Sequence, residues 1–292
     1  MDSSFKNEKD LRYTFTMGVG GFGKNGNQKI VSGLRSVSEI AKAGGVVLSS
    51  AKCRIYGMLD DDMQLLTMLA WDSVGTGIQR NDLLIEAIDG DSVSTVFSGT
   101  IVNAWPDYQS APDVFLYVEA IAGYAEKTTP MQTTSLKGIS DVAVLMETYA
   151  KAMGLTFENN GVTAQLSNPY LVGDAYSQAQ QLEKAANIYM FRDDTVLAIC
   201  KKGTSRPSTQ PVISLSTGLV GYPMFDRIGA MFTTYFNPAI KFGGTVKIET
   251  AVKRAAGIWQ VMGLSHSLSS KMNGGPWFSN VRTTESGIVP IK

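Results

Sequence analysis

The sequence holds little of the raw material for catalytic or metal chemistry. Its 292 residues include one histidine, His266, and two cysteines, Cys53 and Cys200. One imidazole and two scattered thiols cannot build a zinc site or a disulfide framework, and a Cys–His nucleophile would need a chance meeting in the fold. Both cysteines lie in strand-like runs and read as small buried hydrophobes. Net charge is missing too, because 26 Lys plus Arg balance 26 Asp plus Glu, and this removes the basic footprint of a duplex or RNA binder. No apolar run approaches the ~20 residues that span a bilayer. The charged stretch from Met1 to Arg12 has no apolar core behind it and so does not read as a secretory signal. The expectation is a soluble chain without membrane anchoring, made in a reducing cytosol.

What is present suits a folded chain. Hydrophobic residues make up 44 % and aromatics 9 %, enough to fill real cores, and at ~100–200 residues per domain the length suggests two or three units. Charge is unevenly spread. Residues 1–135 carry 11 basic and 16 acidic side chains, a net of −5; residues 136–211 carry 7 and 7; residues 212–292 carry 8 and 3, a net of +5. An acidic front and a basic back suit neighbouring copies that meet head to tail, since opposite potentials steer and register an interface.

Hydrophobic periodicity divides the chain into three. Leu11, Tyr13, Phe15 and Met17 alternate with polar residues, and alternation returns around Cys53–Ile55, Leu83–Asp89, Val93–Trp105 and Val114–Gly123, the mark of strands with one face buried. A helix is predicted from Met63 to Trp71 after Asp60-Asp61-Asp62, whose carboxylates suit a helix N-terminus. Beyond a Thr-rich stretch with Pro130 the period changes. Ile139, Val142, Ala143, Met146, Tyr149, Ala150 and Met153 follow helical spacing between Ser140 and Gly154. A hairpin is expected around Asn159-Asn160-Gly161, then a second helix from Asp174 to Asn187 and a second hairpin turning at Asp193-Asp194. Lys201 to Pro211 reads as a polar, basic connector, and strand patterns resume from Ile228 to Leu268. The predicted architecture is mainly β with an α+β insertion, with domains at 1–130, 131–206 and 207–292.

One motif invites a nucleotide reading. Gly18-Val19-Gly20-Gly21-Phe22-Gly23-Lys24 follows a predicted strand, but Asn25 stands where a phosphate-binding loop needs a Mg²⁺-holding hydroxyl, and Asn25-Gly26-Asn27 is a turn rather than the start of a long helix. A glycine-rich hairpin loop is the better reading. Asp60-Asp61-Asp62 lacks the spaced ligands and the glycine of a calcium loop. No catalytic residue, cofactor or metal site is assigned.

The last third carries a recognisable run: Gly218-Leu219-Val220-Gly221-Tyr222-Pro223, Phe236-Asn237-Pro238-Ala239-Ile240-Lys241, Ile258-Trp259-Gln260-Val261, Gly263-Leu264-Ser265-His266-Ser267-Leu268 and Gly274-Gly275-Pro276-Trp277. With Gly33-Leu34-Arg35, Ile40 to Gly45 and Arg54-Ile55-Tyr56-Gly57-Met58 near the front, it resembles the baseplate hub proteins of contractile-tailed bacteriophages. The resemblance implies two tail-tube-like β-barrel domains flanking a small helix-hairpin repeat domain. It implies a homotrimer whose ring of six barrels adapts the sixfold tail tube to the threefold central spike. The implied partners are the spike, a tube or tube-initiator protein and other baseplate proteins, with DNA only passing through the channel, in a virion part assembled in the host cytoplasm. A threefold object presents sixfold surfaces only if each chain supplies two similar units. Such hubs are not enzymes unless a lysozyme-like or peptidase module is attached, and none is visible. The competing readings are a cell-wall hydrolase or degenerate P-loop NTPase, and a tail-tube protein with sixfold rings.

The candidate residues are structural. Tyr222 and Pro223, beside Gly221, suit a sharp lead-in to a strand, and Asn237-Pro238 suits a strand ending in a turn. Trp259 and Trp277 suit barrel core or subunit contact. His266, on an alternating strand, suits a hydrogen-bonded core or interface position.

Overall fold

The computed structural model describes residues 8–18, 20–22, 26–42, 48–67, 81–128 and 131–285. Its contacts separate two compact units. Unit 1 gathers the described residues of Met1–Ala41, Ser49–Ala122 and Ser265–Phe278, and unit 2 those of Lys42–Leu48, Gly123–Leu264 and Ser279–Lys292.

In chain order, unit 1 contains β1 (Lys9–Thr16), β2 (Gln28–Val31), β3 (Ser36–Lys42, whose last residue belongs to unit 2), β4 (Ser50–Tyr56), α1 (Asp60–Leu66), β5 (Asp82–Asp89), β6 (Ser92–Asp107) and β7 (Phe115–Ile121). Unit 2 contains α2 (Tyr124–Thr128), β8 (Thr134–Ser135), β9 (Ile139–Asp141), α3 (Val142–Ala152), β10 (Thr156–Asn160), β11 (Gln165–Ser167), β12 (Tyr170–Leu171), α4 (Ala175–Ala186), β13 (Ile188–Asp193), β14 (Val196–Lys201), β15 (Val212–Ile213), β16 (Leu219–Phe225), β17 (Ala230–Tyr235) and β18 (Thr245–Ile248). The long strands β19 (Gly257–Ser270) and β20 (Trp277–Glu285) begin in one unit and end in the other.

Unit 1 is an antiparallel sheet with the path β19-β3-β4-β7-β6-β5-β1-β2. The alternation read in the sequence is its burial pattern: Leu11, Tyr13 and Phe15 on β1, Ala51, Cys53 and Ile55 on β4, and Leu83, Ile85 and Ala87 on β5 are all buried. Met63 and Leu66 anchor α1, which ends at Leu66. The part of the helix expected beyond Thr67, through Trp71, lies outside the described residues. The glycine-rich motif falls in the β1–β2 hairpin loop, where Phe22 N–H donates to the Gly26 carbonyl at 2.7 Å; Val19, Gly23, Lys24 and Asn25 lie outside the described residues. Ala43, Gly44 and Gly45 of the front motifs do so as well.

Unit 2 carries the sheet β16-β17-β20-β19-β18-β15. Beside it lies the three-stranded sheet β10-β14-β13, in which β10 runs parallel to β14. The pair β13–β14 serves two cores. Ile188, Met190, Leu197 and Ile199 pack with Met146, Tyr149, Tyr176 and Leu182 of the helices, while Phe191, Ala198 and Cys200 pack with Phe232, Phe242, Val246 and Val261. The apolar run Val196-Leu197-Ala198-Ile199-Cys200 is what a strand covered on both faces requires.

The helix α4 ends where the sequence says it should, whereas Ile139 and Ser140, read as the start of α3, lie on β9 with Ile139 exposed. The Asp174 carboxylate caps α4 by accepting from Ser177 N–H at 2.9 Å, and Asn187 closes it in the left-handed conformation, φ 52°. At α3 the cap is Asp141, which accepts from Ala143 N–H at 2.7 Å. No helix among the described residues is long and apolar enough to cross a membrane.

Two fold expectations are corrected. Among the described residues no β-barrel domain is present, because neither sheet closes or curls: β2 ends the path of unit 1 paired there only with β1, and β16 and β15 end that of unit 2. Alternation reports that one face of a strand is buried, and an open sheet covered by other elements satisfies it as well as a barrel does. The helix-hairpin repeat is also overturned at its first copy. Asn159 accepts from Val162 N–H at 2.8 Å and donates to the Val162 carbonyl at 3.1 Å, turning the chain away, and β10 pairs in parallel with β14 instead of with residues 162–164. The second hairpin, β13 to β14, forms at Asp193-Asp194, with Asp194 at φ 51°.

Candidate functional site

The site-like features are surfaces. On β16 the pairing with β17 runs Leu219↔Thr234 and Val220↔Thr233, breaks, and resumes at Met224↔Met231. Three residues of β16, Gly221, Tyr222 and Pro223, therefore face the single Phe232 of β17 and form a bulge. Gly221 takes φ +69° with open space around it, and Pro223 has no N–H for the ladder. Tyr222 is 69 % and Met224 65 % exposed, and Val220 and Phe225 are exposed as well. This sheet edge therefore presents four exposed apolar side chains beside strand backbone left unpaired by any other strand among the described residues.

Next to this edge, Phe225, Arg227, Ile228, Arg254, Ile258 and Trp259 line an open groove of about 770 Å³. The Asp226 carboxylate shapes its rim by accepting from Ile228 N–H at 2.7 Å, from Gly229 N–H at 2.9 Å and from Arg282 Nε at 2.6 Å. The two backbone donors, with Arg282, hold its pKa below the ordinary value. Arg282 is thereby used, whereas among the described residues Arg227 and Arg254 have no ion-pair partner. Gly229 is fixed by close approach, since a Cβ there would lie 2.1 Å from the Thr283 carbonyl oxygen.

A second cluster is internal to unit 2. Arg206, in the connector, donates to Asp193 at 2.9 Å and to Glu158 at 2.8 Å, and Lys42 pairs with Asp194 and with Asp193 at 3.6 Å. Burial pushes the Asp193 carboxyl up, but Lys42, Lys241 and Arg206 outweigh it and hold the pKa low. Asp194 is raised, chiefly by burial, and Glu158 is lowered by the Arg206 hydrogen bond. Every charge here faces an opposite one, as a fastening does. The thiols are equally inert, with burial pushing Cys53 up to about 12 and Cys200 up to about 11. Among the described residues no group of three or more His, Cys, Asp or Glu could hold a metal ion.

The structure brings some of the sequence candidates together and separates others. Tyr222 is exposed and Pro223 buried at the β16 bulge. Trp259 lines the groove and donates from Nε1 to the Ala255 carbonyl at 2.9 Å. Asn237 and Pro238 form the turn after β17, where Asn237 accepts from Ala239 N–H at 2.9 Å. His266 is buried in the unit 1 part of β19, and Trp277, 5 % exposed, is buried in unit 1 with the Lys9 ammonium 5.6 Å from its ring centroid. Sequence reasoning missed Arg227, Arg254 and Arg206. The signal available was that each stands beside a break in a strand pattern, where a cation is either solvated or specifically used.

The sequence matches the family described as Baseplate hub gp41 over residues 11–278. The chain belongs to that family. Solved structures agree in fold: a 43 kDa tail protein of prophage MuSo2 from Shewanella oneidensis matches with TM-score 0.62 at 9 % identity, covering 94 % of this chain and 97 % of that one. A tail protein from Neisseria meningitidis MC58 matches with TM-score 0.59 at 11 % identity and the same coverage. An E. coli component of the type VI secretion system, described as structurally similar to the T4 bacteriophage tail proteins gp27 and gp5, matches with TM-score 0.56 at 12 % identity, covering 88 % of this chain and 76 % of that one. No curated protein is significantly similar in sequence. This baseplate hub family member is therefore a structural protein of the phage tail that works in contact with other tail components.

Proposed function

We propose that the chain is a homotrimeric baseplate hub that joins the sixfold tail tube to the threefold central spike. Three copies, each with two compact units, would offer six units to the tube and three repeats to the spike, one way for a threefold ring to meet a sixfold one. The family match over residues 11–278 carries the reading, and the bulged, apolar edge of β16 supports it as a contact surface. The segments 1–130, 131–206 and 207–292 are proposed as its functional modules. Tyr222 and Trp259 are proposed for the contact face, with Pro223 shaping the bulge beside Tyr222; Asn237, Pro238, His266 and Trp277 are proposed as structural residues of the strands and turn in which they stand. Assembly in the host cytoplasm precedes incorporation in the virion, and DNA crosses the channel without a dedicated site, in keeping with zero net charge.

The test is the native mass of the purified chain. Three times the 31.5 kDa protomer mass is expected, with binding to purified spike and tube-initiator proteins. A monomer at high concentration overturns the reading, and a sixfold ring would make the chain a tube protein instead.

A further inference from the structure

The groove beside β16 has an unusual chemistry for a surface destined for water. Phe225 and Ile258 are exposed apolar side chains on its wall, Ile228 is a third, and Trp259 is half-buried. Arg227 and Arg254 stand exposed on the same wall, and among the described residues neither has an ion-pair partner, the Asp226 carboxylate at the rim being taken by Arg282. A ligand for this wall needs apolar side chains flanked by carboxylates. Small anions are poorly suited, because Phe225, Ile228, Ile258 and Trp259 make the wall apolar between the arginines, and an extended phosphate backbone is poorly suited for the same reason.

Unit 1 carries a surface of the required kind. Leu59 is 69 % exposed, Leu65 and Tyr108 are exposed, and Asp60 and Asp61 stand exposed between the two leucines. Asp60 is fixed by Gln64 Nε2 at 2.6 Å and by the Tyr108 hydroxyl, and Asp62 is taken by Lys29 at 2.7 Å. Among the described residues Asp61 has no partner. The wider charge distribution has the same sense, −5 over residues 1–135 and +5 over residues 212–292.

We infer that the groove of Arg227 and Arg254 receives the Leu59–Asp61 projection of a second copy of this chain. The contact joins two different patches, so each copy offers one donor surface and one acceptor surface, and the repeat closes into the proposed ring of three when each copy is turned a third of a circle from the last. The inference rests on the proposed trimer and names the contact that closes it.

Charge reversal on each side separately, then on both sides of one chain, tests it. Arg227→Glu with Arg254→Glu, or Asp60→Lys with Asp61→Lys, should weaken self-association at least tenfold by native mass against concentration, while the circular dichroism spectrum stays native. The chain carrying all four changes should regain the oligomer. Wild-type association should fall as salt rises, since exposed pairs are screened beyond ~8–10 Å. A wild-type trimer unmoved by either reversal overturns the inference and leaves the trimer standing. So does a trimer that persists while the arginine variant loses binding to another tail protein, because the groove then serves that partner. A wild-type monomer overturns both. If the glutamate variants misfold, Arg227→Gln with Arg254→Gln must weaken association on its own, and full retention overturns the inference.

Discussion

The strands β1 and β16 are similar in length and opposite in behaviour. β1 pairs with β5 through eight consecutive residues, Lys9↔Asp89 to Thr16↔Asp82, with no shift, and every apolar side chain between Leu11 and Phe15 is buried. β16 has a single strand neighbour, loses register at its centre and leaves Val220, Tyr222, Met224 and Phe225 exposed. Both sequences are apolar enough to be strands, so hydrophobicity does not distinguish them. What separates them is whether the chain covers the apolar face itself. A strand covered within its own fold holds the protomer together, and one left uncovered is available to a neighbour.

The comparison breaks most visibly at Phe15. Phe15→Ala should destabilise the protein by about 3–5 kcal/mol through lost burial and the cavity left behind, read as a lower urea midpoint; a loss under 1 kcal/mol would mean that β1 is no better covered than β16. Arg206→Met should rank next, at about 3 kcal/mol, because it leaves Asp193 and Glu158 facing each other without their shared cation. Its pH dependence sharpens the result. The pKa values of Asp193 and Glu158 are lowered by folding, so the stability they contribute is complete above the ordinary Glu value of 4.5 and is lost as pH falls through their folded values. Asp194, raised, acts in the opposite sense, its contribution being lost as pH rises. Removal of Arg206 should flatten the acid limb in urea titrations at a series of pH values, and an unchanged acid limb would refute the assignment. The smallest stability effect belongs to β16 itself: Tyr222→Lys with Met224→Lys should shift the unfolding free energy by no more than about 0.5 kcal/mol while weakening self-association.

Much of this fold was legible in the sequence because its cues are local. Asp174 and Asn187 bracket α4 by capping and left-handed geometry that neighbouring residues determine, and Leu11, Tyr13 and Phe15 alternate because one face of β1 is covered. What was illegible is set at long range. Alternation on β1 and β5 cannot reveal whether the first and last strands of a sheet meet, and that is where the barrel expectation failed. Thr156 to Asn160 has the composition of a hairpin arm, yet its partner β14 lies some forty residues away. The surface was legible only in part. Tyr222 and Pro223 stood out as a break in a strand, but Arg227 and Arg254 acquire meaning only when β17 and β19 bring Ile228 and Ile258 beside them.

The double duty of β13 and β14 has a practical corollary. With Leu197 and Ile199 turned to one core and Ala198 and Cys200 to the other, the middle segment is not an appendage that engineers can excise. A truncated hub lacking residues 131–206 would strip the wall from the remaining sheet, so a tag or cargo is better inserted at the exposed Asn273-Gly274 turn, where no core would be opened.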